Sequence, residues 1–579
     1  TEVVIAGSNG GILHAFNALN GEELWGYIPP NIIGKLSTMI TSKANATNPI
    51  YGIDGSPVVK DIYFDDTPND STDNPRWRTI LLGGLGAGGK GLYAIDITDV
   101  NNPTHLFAIT NDESNKAIQH WDVDGLKSEF GYRGGSSLDP KYDYRKLGET
   151  WSTPRIIRIK VSGKDKWVAV FGGGYNGAVN PNVGSAVFVM DLEDEGRLLK
   201  VIDIEDNLHS RTIGSGRLFK RVGGILTNNN TEFNVLAWNP NVNYDITKGE
   251  SIIAEFNPPV GHTITYSTSG NIVTVTKVTF DASWPCTLGG SCRGTVKFRR
   301  FSNDIVNSLP ADLSVITADG TDKANYDGAI VYATDLEGKL TKINLTENFS
   351  LICPSGKTCN KDTDKVIKNI SATTLFIAES TSENGRYIYT RPEVTINNDN
   401  KLWLYFGTGN TQKLHEQSSK IQNRAYGIKD KDFPNYVNIS TPGDIRRCKT
   451  APTCPGSTDL GWYVNLPRAQ KLTAEPTVNK DRVYFPIYEP TTASNACNTG
   501  KAILTAYDTK CGNSVLNVHL GTGVLSKVVV QGDNLYIGIA GEAKKNIAGF
   551  TSTGNLITGK SKAKGSGGKV QLEGWKENY

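Results

Sequence analysis

Seven times along this 579-residue chain, an apolar run meets a glycine-rich turn and a second apolar run that closes on an acidic residue or asparagine. The first copy contains "SNGGILHAFNALNGEELW" at 8–25, behind the β-branched run that starts at Val3. Later copies start at Thr79 ("TILLGGLGAGGKGLYAIDITD"), Trp167, Ala329 ("AIVYATDLEGKLTKINLTEN"), Leu402, Val483 and Leu535. Alternating apolar residues on either side of Gly- and Asn-bearing turns read as antiparallel strands. Arranged radially, such units bury both faces of each sheet and leave only short rims exposed, which is the propeller solution to unpaired edges. The repeat therefore predicts an all-β chain, a modified seven-bladed β-propeller with four-stranded blades. A linear array of β-sandwiches is the alternative, and it would need no shared glycine turn. The 61 glycines against 25 prolines suit a chain with many tight turns.

The longest gap between copies runs from Trp167 to Ala329. Within it, "HTITYSTSGNIVTVTKVTF" (262–280) alternates strictly about a Ser-Gly-Asn turn and predicts a β-hairpin. It lacks the glycine-rich motif. Residues 223–303 are therefore expected to form a small inserted β-subdomain between propeller segments 1–222 and 304–579. Insertions on rigid scaffolds commonly carry recognition; an inert decorated loop is the other reading.

A net charge of +2 gives no basic face for a nucleic-acid partner, and no run of 18 apolar residues is present to span a membrane. The basic segment "TGKSKAKGSGGK" (558–569) has no aromatics among its charges and reads as an exposed linker. Eight cysteines fall as Cys286/Cys292, Cys353/Cys359, Cys448/Cys454 and Cys497/Cys511. Zinc sites favour two to four intervening residues, and no CxxC occurs, so four local disulfides are expected. Each such short loop stabilises by about 2–3 kcal/mol in the chain-entropy account. Bridges of this kind persist in an oxidising compartment, so the chain is expected to be exported.

Catalytic signatures are sparse. GxSxG, HExxH, a Walker loop and a Rossmann turn placed between strand and helix are all missing. "GLGAGGKG" (84–91) joins strand to strand with no helix to receive a phosphate, so it reads as a turn. His14 lies in an apolar run and is expected to pack in the core. One acidic loop stands apart, "TADGTDKANYDGAIVYATD" (317–335), where Asp319, Asp322, Asn325 and Asp327 crowd the approach to a strand. Alternating oxygen ligands in a tight loop suit Ca²⁺. A polar turn that binds nothing is the competing reading. A second acidic cluster, "FDDTPNDSTDN" (64–74), reads as a solvated loop.

The ordered series "SNGGILHAFNALNGEELWGYIP", "YGIDGSPVVKDIYF", "LLGGLGAGGKGLYAIDIT", "GETWSTPRI", "GSAVFVMD", "NSLPADLSVI", "DLEGKLTKINL", "YFGTGN", "GWYVNLP" and "CNTGKAILTAYD" resembles the C-terminal β-propeller of the PilY/PilC family of type IV pilus tip-associated assembly factors and adhesins. The resemblance implies a non-enzymatic protein at the pilus tip, on the cell surface and associated with the outer membrane. It implies minor pilins and the tip complex as partners, with a host-cell receptor or abiotic surface as a further one. It also implies an upstream region with the export signal, often a von Willebrand A-like fold. Family members carry a DxNxDxxxD-type calcium loop where "ADGTDKANYDG" falls, and its occupancy is associated with control of extension against retraction. Here Asp319 and Asp327 keep the terminal positions while Lys323 replaces the central acid. Asp322 and Asn325 are the substitute ligands, and a lysine inside the loop repels the ion unless it swings to solvent.

Two other functions compete. A periplasmic quinoprotein dehydrogenase is suggested by "GILHAFNALNGEELW", against which stand the missing adjacent cysteine pair and the single Trp-ending motif. A propeller scaffold for outer-membrane assembly would need neither calcium nor disulfides.

Overall fold

The computed structural model describes residues 2–41, 50–64, 76–131, 140–176, 183–204, 307–317, 328–353, 358–359, 365–378, 380, 384–396, 401–467, 469–491 and 499–564. Between 211 and 301 it describes the strands 211–219, 231–233, 243–245, 251–257, 262–269, 272–280 and 293–301, and Gly270. The chain is almost all β: among the described residues the one α-helix is Ile33–Thr41. It divides into two compact units, one of residues 1–151, 173–307 and 352–366, the other of 152–172, 308–351 and 367–579.

In the first unit, Val3–Gly7, Leu13–Asn17 and Glu23–Tyr27 form a three-stranded antiparallel sheet. The turn into the second strand closes with Gly11 at φ 81°, a conformation glycine adopts without a Cβ penalty. Leu13 and Ala15 are buried, whereas His14 sits on the opposite face, half-buried, with its Nδ1 2.7 Å from Glu23 Oε1. The core position expected for His14 is thus not taken. Strand alternation sends it to the side where Glu23 supplies a charged partner.

A six-stranded antiparallel meander follows: Val58–Phe64, Arg76–Gly84, Gly91–Asp96, Thr104–Asp112, Ala117–Asp122 and Gly125–Gly131. Its glycine-rich turn at 84–91 packs backbone against backbone. A Cβ on Gly88 would lie 1.7 Å from the Gly52 carbonyl oxygen, so the close backbone approach at this turn requires glycine. Leu13, Ile53, Leu81, Tyr93 and Ile95 share the core beneath it. The hairpin Ala186–Asp191/Leu198–Asp203 docks on this meander through its turn. The Tyr144 hydroxyl donates to the Gly196 carbonyl at 2.5 Å, and His120 Nε2 lies 3.0 Å from the Glu195 carbonyl.

The hairpin expected at 262–280 is present as His262–Ser269 and Ile272–Phe280, turning through Gly270 at φ 59°. Thr231–Phe233 and Asn243–Asp245 also pair with its second strand. A separate sheet places Arg293–Phe301 between Arg211–Phe219 and Ser251–Asn257, so strand pairing among these segments begins at 211, ahead of residue 223.

The second unit begins with the hairpin Arg155–Val161/Lys164–Gly172. Ser314–Thr317, Ala329–Thr334, Lys339–Leu345 and Ala372–Ile377 make a four-stranded sheet. A five-stranded sheet follows from Glu393–Ile396, Leu402–Gly407, Arg424–Asp430 and Gly461–Asn465, with Cys448–Thr450 added parallel. Trp403, Tyr405, Trp462, Phe485 and Tyr507 form the aromatic core against the next sheet. The polar ends of two of these rings are satisfied together, since Trp462 Nε1 and the Tyr405 hydroxyl both donate to the Thr509 carbonyl, at 3.1 and 2.9 Å.

Uniform four-stranded blades are not what the last two copies form. Both belong to one nine-stranded sheet. The twelve-residue strand Ser514–Leu525 pairs with Lys501–Asp508 over most of its length and with Asn534–Ala543 at its end. Where it changes partner, Gly523 and Gly541 oppose one another at φ 109° and 155°. A Cβ on either would come within 2.2 Å of a carbonyl oxygen across the pair. A strand long enough for two neighbours, freed there by paired glycines, fuses what the repeat alone would separate.

Candidate ion-binding loop and an arc of buried charge

Asp319, Asp322, Asn325 and Asp327 lie within 318–327, outside the described residues, as does most of the second acidic cluster, at 65–75. What the structure describes is the base of the first loop. Ser314–Thr317 and Ala329–Thr334 are antiparallel, with Thr317 opposite Ala329, so the loop's two ends are held as cross-strand neighbours. Gly328 closes it at φ 104°, and a Cβ there would sit 1.8 Å from the Leu345 carbonyl oxygen. Among the described residues, no group of three or more His, Cys, Asp or Glu is placed to hold a metal ion.

The hairpin that carries this loop holds two buried charge clusters. At its far turn, Lys339 Nζ lies 3.5 Å from Asp335 and 3.3 Å from Glu337, with the lysine fully buried. Burial pushes the Asp335 carboxyl up to about 7, Lys339 opposing the rise. Mid-strand, Tyr332 and Lys342 are cross-strand partners, and both reach Asp430 on the neighbouring sheet, at 2.6 and 2.7 Å. Lys342 also donates to the Asn435 carbonyl at 3.2 Å.

A further set of charges gathers where the first strands of successive sheets begin. Proline-bearing segments lead into them: Thr153-Pro154-Arg155, Pro310-Ala311-Asp312, Arg391-Pro392-Glu393 and Glu475-Pro476-Thr477. Proline has no N–H to offer a ladder and is accepted at a strand's first residue. One hydrogen bond ties each segment to the next. The Thr153 N–H donates to Asp312 Oδ1 at 2.7 Å, the Ser314 hydroxyl to the Pro392 carbonyl, Arg391 Nε to Glu475 Oε2, and the Thr477 hydroxyl to the Val528 carbonyl.

Across this arc, Arg391 Nε donates to Glu475 Oε2 at 3.0 Å. Lys527 Nζ lies 3.1 Å from the same oxygen and 3.7 Å from Glu393. Burial raises the carboxyls of Asp312 and Glu393; Glu475 adds to the rise at Asp312, and Lys527 opposes it at Glu393. The Arg155 guanidinium has no hydrogen-bond or ion-pair partner among the described residues. Local motif reading missed the arc. The signal it left was a proline within two residues of a charge at each strand entrance.

The cysteines only partly follow the local pattern. Cys353 and Cys359 are bonded, with Cα atoms 5.5 Å apart. Cys454 is bonded to Cys511, 57 residues on, and Cys448 is a buried free thiol, pushed up to about 12 by burial. The expected pairs Cys448/Cys454 and Cys497/Cys511 are corrected accordingly. Cys448 opens a strand whose side chain faces the core beside Phe433 and Leu460, while the turn at Cys511 docks beside Cys454. Cys286, Cys292 and Cys497 lie outside the described residues.

Residues 1–221 match the family model described as the PilY1 beta-propeller domain. A type IV pilus biogenesis factor PilY1 homolog of Xylella fastidiosa is 21% identical over 539 residues, covering 89% of this chain and 26% of that protein. The type IV pilus biogenesis factor PilY1 of Pseudomonas aeruginosa is 31% identical over 202 residues, covering 35% of this chain and 14% of that protein. The chain thus spans about a quarter or less of the length of these relatives. The crystal structure of the Pseudomonas aeruginosa PilY1 C-terminal domain superposes with a TM-score of 0.49 at 15% identity, covering 93% of this chain and 91% of that one.

Proposed function

We propose that this chain, a homologue of the PilY1/PilC family of type IV pilus tip proteins, is the propeller-bearing part of a non-enzymatic pilus-tip protein that promotes pilus biogenesis by opposing retraction. The observation that carries the reading is the alignment to a named pilus biogenesis factor along 89% of the chain. The finer architecture in this proposal is a modified seven-bladed propeller. Its partners are minor pilins at the tip, with a host-cell receptor or an abiotic surface on the outer side. Its place is the exported tip complex at the cell surface. No described helix is long and apolar enough to cross a membrane.

Calcium at Asp319, Asp322, Asn325 and Asp327 is part of the same proposal. What supports it is the donor set together with a loop whose ends are pinned by a buried hairpin. An ion that needs several oxygens gains most where ring closure is already imposed. Ordering the loop would present one surface to a partner, and the ion shifts that equilibrium only by its preference for the ordered state.

The experiment is a count of surface pili in cells lacking the protein, with and without the retraction motor. Pili that vanish in the deletion and return when retraction is also removed support the assembly role. Unchanged pilus numbers in both backgrounds overturn it. For the ion, calorimetry with Ca²⁺ on the wild-type chain and on Asp327→Ala is decisive, since equal heats in both would remove the loop as the site.

A further inference from the structure

We infer that the turn 335–339 in the second unit is a binding site for a monovalent alkali cation, Na⁺ or K⁺, held by the carboxylates of Asp335 and Glu337 and the hydroxyls of Ser308 and Ser380. The turn joins Ala329–Thr334 to Lys339–Leu345, and neighbouring segments fold over it. The Leu336 N–H donates to the Ser308 carbonyl at 3.1 Å, and the Ala378 N–H to the Gly338 carbonyl at 2.7 Å. A Cβ on Gly338 would lie 3.2 Å from Ser380 Cβ and 3.4 Å from the Arg386 carbonyl oxygen. Asp335, Glu337, Ser308 and Ser380 are each more than nine-tenths buried. Glu337 Oε2, Ser308 Oγ and Ser380 Oγ have no hydrogen-bond partner among the described residues. Three such oxygens around one dry turn are costly to leave unmet, and an ion or ordered water is what meets them.

The charge count selects the ion. Lys339 Nζ is 3.5 Å from Asp335 Oδ2 and 3.3 Å from Glu337 Oε2, and the latter oxygen gains no hydrogen bond at that distance. Asp335 Oδ1 accepts the Lys339 N–H at 3.0 Å, which holds that carboxylate over the turn. One ammonium thus faces two carboxylates, and a single negative charge is left among these three groups when all are ionised. Burying that charge uncompensated is costly. A monovalent ion cancels it, whereas Ca²⁺ or Mg²⁺ would leave a surplus positive charge beside Lys339. The donors are all oxygen, the class that hard cations take. A proton on Asp335 is the competing way to neutralise the turn. Burial pushes that carboxyl up to about 7, so it is ionised and open to the ion at pH 8.

Thermal melts and ²³Na NMR of the intact chain at pH 8 test this, with a chelator present so that calcium at 318–327 plays no part. Na⁺ or K⁺ should raise the melting midpoint saturably over choline at matched ionic strength, as binding to the folded chain alone requires. Glu337→Gln should abolish the shift, and Ser380→Ala should weaken the apparent affinity about tenfold. Asp165→Asn, at an exposed position of the same unit, should leave it unchanged. Broadening of the ²³Na line that Glu337→Gln removes gives a reading independent of stability. The melt of each variant in choline reports its folding, and Ser380→Ala carries the test should Glu337→Gln fold poorly. Saturation at a lower concentration of Na⁺ than of K⁺ assigns the site to Na⁺, and the reverse order assigns it to K⁺. Equal midpoints in Na⁺, K⁺ and choline would mean that water fills the turn and would overturn the inference, as would an undiminished shift in Glu337→Gln.

Discussion

Lys342 Nζ and Asp430 Oδ2 meet at 2.7 Å, and neither side chain has any exposure to solvent. They join the sheet that carries the acidic loop to the next sheet in the same unit, and Tyr332 adds a hydroxyl to the same oxygen. Breaking such a pair strands a charge in the core. Asp430→Ala should cost about 3–5 kcal/mol, whereas the double change Lys342→Met/Asp430→Leu should be close to neutral or stabilising. Urea unfolding midpoints of the three proteins check this.

Gly328 fixes the loop's exit at a φ that L-residues rarely adopt, against the Leu345 carbonyl. Gly328→Ala is expected to destabilise by about 2–3 kcal/mol through strain, with the matching Gly554→Ala, where nothing lies within 4 Å, costing less. Paired thermal denaturation curves separate clash from conformation.

The disulfide pattern has a chemical test. Under the chain-entropy account a 57-residue loop contributes about 4 kcal/mol and the six-residue separation of Cys353–Cys359 about 2 kcal/mol. Cys454→Ser should therefore lower the midpoint more than Cys353→Ser. Non-reducing peptide mapping should recover the Cys454–Cys511 link, and alkylation of Cys448 should wait for unfolding, because its buried thiol resists ionisation.

Acid should loosen the first unit through His120. Its Nε2–H donates to the Glu195 carbonyl, its Nδ1 is buried without a partner among the described residues, and burial lowers its pKa. Lys127 also disfavours the charged ring, while Asp122 and Glu195 favour it without reversing the shift. The unfolded chain then binds the proton more readily, so stability is held above the unfolded value of about 6.5 and lost as pH falls below it. His120→Gln should flatten the slope of unfolding free energy between pH 7 and pH 5, measured by urea titration at each pH.

Much of the fold was legible because its signals are local. Gly11, Gly270 and the 84–91 turn announce their own backbone conformations, and the strands on either side follow from alternation. Cys454 and Cys511 meet because a turn docks on a sheet, which no spacing records. Arg155, Asp312, Arg391 and Glu475 sit at four strand entrances spread over more than half the chain, and only stacking of the sheets draws them into one arc. His14 followed its strand's alternation and not the apolar character of its neighbours. The acidic loop was the most visible candidate, and its pinned base agrees with a rigid mount whatever the loop holds.

Ser514–Leu525 also has a consequence for how such a chain can change over evolutionary time. A module with its own strands can be duplicated or deleted whole, leaving its neighbours' ladders complete. The last two copies do not have that freedom, because each borrows hydrogen bonds from the same strand. Removing the copy that begins at Leu535 would leave the end of Ser514–Leu525 with unpaired amides and carbonyls, an edge open to pairing with other chains. The two copies are therefore inherited as one unit, and length variation is expected at the other repeats.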